Sequence, residues 1–156
     1  MIRKATVADT AAIQKLLKQI LKLHHNFRPD LYKEIGTKYS AEELQAKMAS
    51  GELQIFVKVV DGLVVAHLMC QIIDNQETLN SYPYKTLYID DLCVDKSFQH
   101  QGIGEELINF AKDLAKQNNC YNLTLHVNAS NKNAISFYEH LGLRATSYTM
   151  EEILEK

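Results

Sequence analysis

The chain has 156 residues, of which 46% are apolar and 23% charged, and 17 Lys and Arg stand against 19 Asp and Glu for a net charge of −2. That length and balance suit one ordinary α/β-sized globular domain and exclude disorder, collagen-like repeats and a coiled-coil rod. Without a basic excess to meet a phosphate field, duplex nucleic acid is not an expected partner. Cys70, Cys93 and Cys120 are odd in number and widely spaced, so they read as reduced thiols rather than a disulfide framework or a zinc site, and no metal is expected. No apolar run reaches the roughly 18–20 residues of a membrane helix, and MIRKATVADT lacks a signal-peptide core. The expectation is a cytoplasmic protein that does not contact membrane.

In chain order, residues 1–6 read as a short strand, and Thr6-x-x-Asp9 offers a capping-box entry to a helix over Val7–His25, whose Ile13, Leu16, Leu17, Ile20 and Leu21 share one face. Asn26 and Pro29 interrupt it, and Asp30–Lys38 is expected as a short helix. Ser40-x-x-Glu43 caps a further helix, which Gly51 is placed to end. Leu53–Val60 and Leu63–Ile73 read as strands joined by a two-residue Asp61-Gly62 hairpin turn. A polar loop, Asn75–Pro83, leads to a third strand, Leu87–Val94, which carries two adjacent aspartates, Asp90 and Asp91. A helix over about Gly102–Asn118, a strand over Tyr121–Val127, a short helix over Lys132–Leu141 stopped by Gly142, and one or two strands within Leu143–Leu154 complete the order β-α-α-β-β-β-α-β-α-β. Hairpins first and strand–helix–strand crossovers later predict a mixed, mostly antiparallel central sheet flanked by helices, in a single domain over 1–156.

The stretch LYIDDLCVDKSFQHQGIGEEL, residues 87–107, is the most informative. A buried strand ends at Val94, and Gln99-His100-Gln101-Gly102-Ile103-Gly104 then opens a helix. Free backbone N–H groups and the macrodipole at a helix N-terminus favour an anion, and glycines let a phosphate approach the backbone. The alternative is simply a tight strand-to-helix turn. A phosphate-binding P-loop is excluded because no Lys follows Gly104, and a dinucleotide fingerprint because position 107 is Leu.

After the next strand comes NKNAISFYEHLGL, residues 131–143. With these two segments the chain resembles the GCN5-related N-acetyltransferase (GNAT) superfamily. Gln99, Gly102 and Gly104 match its [QR]-x-x-G-x-[GA] pattern, and Asn131, Ala134, Tyr138, Glu139, Gly142 and Leu143 match its N-x-x-A-x-x-x-Y-E-x-x-G-[FL] pattern. Locally, Asp90-Asp91-Leu92-Cys93-Val94 is similar to the strand of the diamine and thialysine acetyltransferases, although the first acid there is more often Glu.

The resemblance implies the acyl-CoA N-acyltransferase (GNAT) fold, acetyl-CoA as co-substrate, and direct attack by a primary amine, with a small cationic amine such as a polyamine or amino-acid-like molecule as acceptor. It further implies that Leu92, Cys93 and Val94 meet the acyl and pantetheine groups through their main chains, and that Gln99 to Glu105 (His100, Gln101 and Ile103 among them) cradle the pyrophosphate. Tyr138 takes the position of the general acid and contacts the cofactor; Asn131 is an amide contact to CoA. A core aromatic and a helix N-cap are the respective alternatives.

An alkyl amine with a pKa of about 10 arrives protonated, so a site must collect a cation and remove its proton. Asp90 and Asp91 suit that task, with Asp90 favoured as base by alignment, and a bulged strand end as the plain alternative. Cys93 reads as a small apolar filler rather than a nucleophile. His24, Phe27, Tyr32, His126 and Asp90 itself are candidate acceptor-pocket residues; for His126 an ordinary strand histidine is the simpler reading. Two alternatives stand beside the small-amine acceptor: a protein N-terminus or lysine, and an acyl-CoA-binding domain without catalysis. A homodimer fits similar proteins.

Overall fold

The alternating apolar residues either side of Asp61-Gly62 form the hairpin around which the sheet is built. A computed structural model describes residues 1–155, and in it β2 (Gln54–Val60) and β3 (Leu63–Asn75) pair antiparallel. Asp61 at φ 50° and Gly62 at φ 78° both take the left-handed conformation that a two-residue turn of this hand requires. β1 (Ile2–Lys4) pairs antiparallel with β2, β4 (Tyr84–Val94) antiparallel with β3, and β5 (Asn122–Leu125) parallel with β4. The order is β1-β2-β3-β4-β5. This is the mixed, mostly antiparallel sheet expected. The parallel step between β4 and β5 is made by the helix α3 (Ile103–Gln117), since a parallel pair needs a long crossover.

α1 (Thr10–Phe27) is entered through a 3₁₀ turn at Val7–Asp9. The buried Asp9 carboxylate fixes that entry, accepting from the Thr6 N–H at 2.7 Å and from both Arg3 nitrogens at 2.8 and 3.0 Å. α2 (Ala41–Ser50) has the reciprocal capping bonds between Ser40 and Glu43, at 3.1 and 3.2 Å, and ends at Gly51 with φ 73°. Alternate residues of β2 serve opposite faces. Ile55 and Val57 join Ile13, Leu17, Leu44 and Met69 in one apolar core, while Phe56 lies edge-on to Phe110 of α3 at 4.8 Å.

Three expectations are corrected. Asp30–Lys38 is not a helix but a run of turns and bends; Gly36 at φ 151° interrupts helical geometry, and Leu31 and Ile35 are exposed rather than set on a common buried stripe. Residues 143–155 contain no strand, and Tyr148, Met150, Ile153 and Leu154 are exposed instead of alternating in and out. β4 also begins at Tyr84, three residues earlier than Leu87.

The described residues divide into two compact units, Met1–His126 and the segment from Val127 onward. The second holds α4 (Lys132–His140), whose first turn is capped by the Asn131 side chain accepting from the Ala134 N–H at 3.1 Å. Gly142, at φ 98°, closes its C-terminus, with the Leu143 N–H donating to the Tyr138 carbonyl at 3.0 Å. No helix among the described residues is long and apolar enough to cross a membrane.

Candidate active site

β4 changes its surroundings halfway along. From Thr86 to Ile89 it is paired on both sides, with β3 and with β5. The β5 pairing stops at Ile89, whereas the β3 pairing continues to Val94. Over residues 90–94 one edge of β4 therefore has no strand beside it among the described residues. At the same place the β3–β4 register slips: Met69 faces Asp91 and Cys70 faces Ile89, leaving Asp90 as the extra residue of a bulge. The bulge anticipated as the plain explanation for two adjacent aspartates is present, and it sits where the open edge begins.

The two carboxylates have different company. Asp91 is buried, and its Oδ2 lies 2.5 Å from Nε2 of His67. His67 pairs with Cys93 across the β3–β4 ladder, so Asp91, two residues back, is its diagonal neighbour on the same face. The imidazole is completely buried, and its Nδ1 has no hydrogen-bond partner among the described residues. Burial alone would discourage ionisation of Asp91. The His67 hydrogen bond, reinforced by the charges of His67, Lys38 and His24, outweighs it and holds the carboxyl below its ordinary value.

Asp90 accepts from the Tyr39 hydroxyl at 2.7 Å, and Lys38 places its ammonium 3.2 Å from Asp90 Oδ2 and 2.8 Å from the Asp90 carbonyl oxygen. The same nitrogen is 3.9 Å from Asp91 Oδ1. Burial and the bond to Asp90 raise the Tyr39 phenol well above its ordinary range.

Asp91 lines a cavity of about 450 Å³ between α1 and residues 31–38. Leu17, Ile20, Leu21, Leu31 and Ile35 contribute apolar walls, while His24, Tyr32, Lys33, Thr37 and Lys38 bring the other polar groups. The His24 and Tyr32 rings are 5.2 Å apart, and burial lowers the basicity of His24 against the opposing pull of Asp91. Thus His24 and Tyr32, two of the five expected pocket residues, share a cavity with Asp91. Phe27, the last residue of α1, and Asp90 are not in its lining, and His126 lies past the end of β5, exposed against Tyr88 with ring centres 5.6 Å apart.

The loop after β4 presents a cradle. Lys96–Phe98 form a 3₁₀ turn capped by Asp95, which accepts from the Ser97 N–H at 2.9 Å, and Gln99 donates back to the Val94 carbonyl at 3.2 Å. Gln19 of α1 clamps the entry, donating to Asp95 and accepting from the Lys96 N–H, both at 3.2 Å. His100 and Gly102 then take left-handed backbone, at φ 64° and 81°. The first α3 ladder bond runs from the Glu106 N–H to the Gly102 carbonyl at 3.0 Å, so the N–H groups of Ile103, Gly104 and Glu105 precede the ladder. A Cβ built on Gly102 would meet nothing within 4 Å. Open space, unladdered donors and a positive dipole end fit an anionic pyrophosphate, and the open edge of β4 offers backbone donors and acceptors to an extended pantetheine.

Cys93 is buried, its thiol directed at the Leu16 carbonyl at 3.4 Å, and burial pushes its pKa up to about 12. A thiol so placed fills space. In the C-terminal unit the Tyr138 ring lies against Phe137 at 5.2 Å, and Asn131 spends its side-chain oxygen on the helix cap.

His67, Lys38, Tyr39 and Gln19 were not among the sequence-derived site residues. For His67 a signal existed, because it stands alone as a polar residue in the buried run Val65–Cys70. Lys38 and Tyr39 meet the aspartates across more than fifty positions, a contact that no local pattern encodes.

A model of the acetyltransferase (GNAT) family matches residues 17–143. The uncharacterized N-acetyltransferase YhfO of Bacillus subtilis (strain 168) is 31% identical over 143 residues, covering 90% of this chain and 87% of that protein. The peptidyl-lysine N-acetyltransferase YjaB of Salmonella typhimurium is 31% identical over 98 residues, covering 63% of this chain and 64% of the relative. Among solved structures, that of a mutant BH1408 protein from Bacillus halodurans superposes with a TM-score of 0.95 at 27% identity over 99% of both chains.

Proposed function

The chain belongs to the acetyltransferase (GNAT) family and is an N-acetyltransferase with acetyl-CoA as co-substrate; from that premise we propose that its acceptor is a small amine with a cationic head and an apolar body. The observation that carries this reading is the buried Asp91 carboxylate in the lining of a cavity with aliphatic walls. A carboxylate there attracts one ammonium, and the aliphatic walls reward a hydrocarbon body at about 25 cal/mol per Å² buried. Asp91 is the one carboxylate in that lining, which favours a monoamine or an amino-acid-like acceptor over a polyamine needing several counter-charges.

In this reading Asp91 takes the acceptor's proton, His67 fixes the carboxylate's orientation, and Asp90 is a support held by Tyr39 and Lys38. The open edge of β4 at Leu92 to Val94 orients the acetyl thioester, residues 99–105 hold the pyrophosphate, and Tyr138 returns a proton to the leaving sulfur. The backbone donors act without reorganising, the efficient form of electrostatic stabilisation.

The test is a panel of monoamines, polyamines, amino acids and peptides monitored by thiol release from acetyl-CoA. Highest kcat/KM for monoamines with apolar bodies is expected; highest values for polyamines would overturn the acceptor assignment. A protein lysine or N-terminal amine is the second reading, favoured by the Lys38 ammonium that already lies against both aspartates. Peptide substrates outpacing every free amine would establish it.

A further inference from the structure

Lys38 brings a primary amine to the place where the acceptor amine is expected. Its Nζ lies 3.2 Å from Asp90 Oδ2, 3.9 Å from Asp91 Oδ1 and 2.8 Å from the Asp90 carbonyl oxygen. Asp90 is the first residue of β4 beyond the end of the β5 pairing, so this nitrogen stands at the mouth of the open edge. The side chain reaches it from the irregular segment that lines the cavity, and Lys38 is itself part of that lining. At 40% side-chain exposure the lysine is open to solvent and so to a reagent arriving from it. Lys33 lines the same cavity from five positions earlier, and no short contact joins it to either aspartate.

We propose that Lys38 is an intramolecular acceptor: the protein acetylates its own Lys38 from acetyl-CoA. The inference rests on the acetyltransferase site proposed above. The Lys38 ammonium gives one proton to Asp91, and the freed Nζ attacks the acetyl carbonyl carbon. The C–N bond forms as the C–S bond breaks, and CoA leaves as a thiol once its sulfur regains a proton. The second proton on nitrogen is lost to solvent, leaving a neutral amide. Nothing is oxidised or reduced. The product has no ammonium to pair with Asp90 and Asp91, so one turnover removes the internal cation and leaves both carboxylates to an incoming acceptor.

Full-length protein incubated with isotopically labelled acetyl-CoA, then digested and analysed by mass spectrometry, tests this directly. Lys38 is expected to gain the labelled acetyl group at least ten-fold faster than Lys33, with a rate per molecule that does not change over a ten-fold range of protein concentration. Asp91→Asn is expected to reduce the Lys38 rate at least ten-fold. Labelling of Lys38 no faster than Lys33, or a rate proportional to protein concentration, would overturn the proposal. Parallel thiol release with the amine panel separates the two levels. An enzyme that turns over free amines without marking Lys38 loses only the self-acetylation, whereas a chain that does neither loses the site reading as well.

Discussion

His67 Nε2 lies 2.5 Å from Asp91 Oδ2, between two side chains that are both out of solvent. A buried carboxylate without a partner is costly, and removing one member of such a pair leaves the other uncompensated. His67→Leu is therefore expected to cost about 2–4 kcal/mol of stability, from the combined loss of the hydrogen bond and of the partner. Urea denaturation of the variant, of Asp91→Asn and of the double variant closes the cycle. If the two residues act as a pair, the double variant is more stable than the sum of single losses predicts.

The same contact sets the pH dependence of turnover. Asp91 is held below its ordinary value of 3.8 by His67 against the opposing effect of burial. Removing the imidazole and its hydrogen bond leaves burial opposed only by the charges of Lys38 and His24, so the Asp91 carboxyl titrates higher. The acid limb of kcat/KM is expected to move to higher pH in His67→Leu, while Asp91→Asn lowers turnover at least 100-fold across the pH range. An unshifted acid limb in His67→Leu would remove Asp91 from the role of base.

Asp9 shows the linkage in a place remote from the chemistry. The Arg3 hydrogen bonds lower its pKa from 3.8, against the effect of burial, with help from the Thr6 N–H. A depressed carboxylate contributes stability that is fully present above the unfolded value of 3.8 and is lost as pH falls through the lower folded value. Asp9→Asn is expected to cost about 1–3 kcal/mol at pH 7. In acid, below both pKa values, the wild-type and variant denaturation midpoints converge.

How much of this was legible in the sequence depends on the range over which each feature acts. The capping pairs Thr6/Asp9 and Ser40/Glu43, the Asp61-Gly62 turn and the apolar faces of α1 and α3 are local, and short-range patterning located them. The family resemblance rested on two motifs; of the two glycines in the first, Gly102 takes left-handed backbone and Gly104 lies in the first turn of α3. Asp30–Lys38 misled because its apolar residues, Leu31 and Ile35, line a cavity rather than a helical stripe. The difference in surroundings between Asp90 and Asp91 was not local at all. It turns on a bulge whose position is set by pairing with β3, and on Lys38, Tyr39 and His67, which arrive from distant segments.

Tyr138 has a plain test. In Tyr138→Phe the ring and its contact with Phe137 persist, and only the hydroxyl is lost. A proton donor contributes about 100- to 10,000-fold in rate. Turnover is expected to fall by that order while acetyl-CoA still raises the melting temperature by mass action. Equal turnover in the two proteins would confine Tyr138 to packing.

Gly102 and Gly51 allow the cofactor cradle to be separated from backbone strain. Both hold left-handed backbone, at φ 81° and 73°, and a Cβ at either position would meet nothing within 4 Å. Alanine at each is therefore expected to cost a similar amount, about 1–2 kcal/mol, from conformational strain alone. Gly102 is the N-cap of α3, next in sequence to the unladdered N–H groups; Gly51 caps the C-terminal end of α2. Gly102→Ala is expected to weaken acetyl-CoA binding at least ten-fold, measured by calorimetric titration, while Gly51→Ala leaves it unchanged. Equal affinities in the two variants would mean that the loop is a tight turn and that the pyrophosphate is held elsewhere.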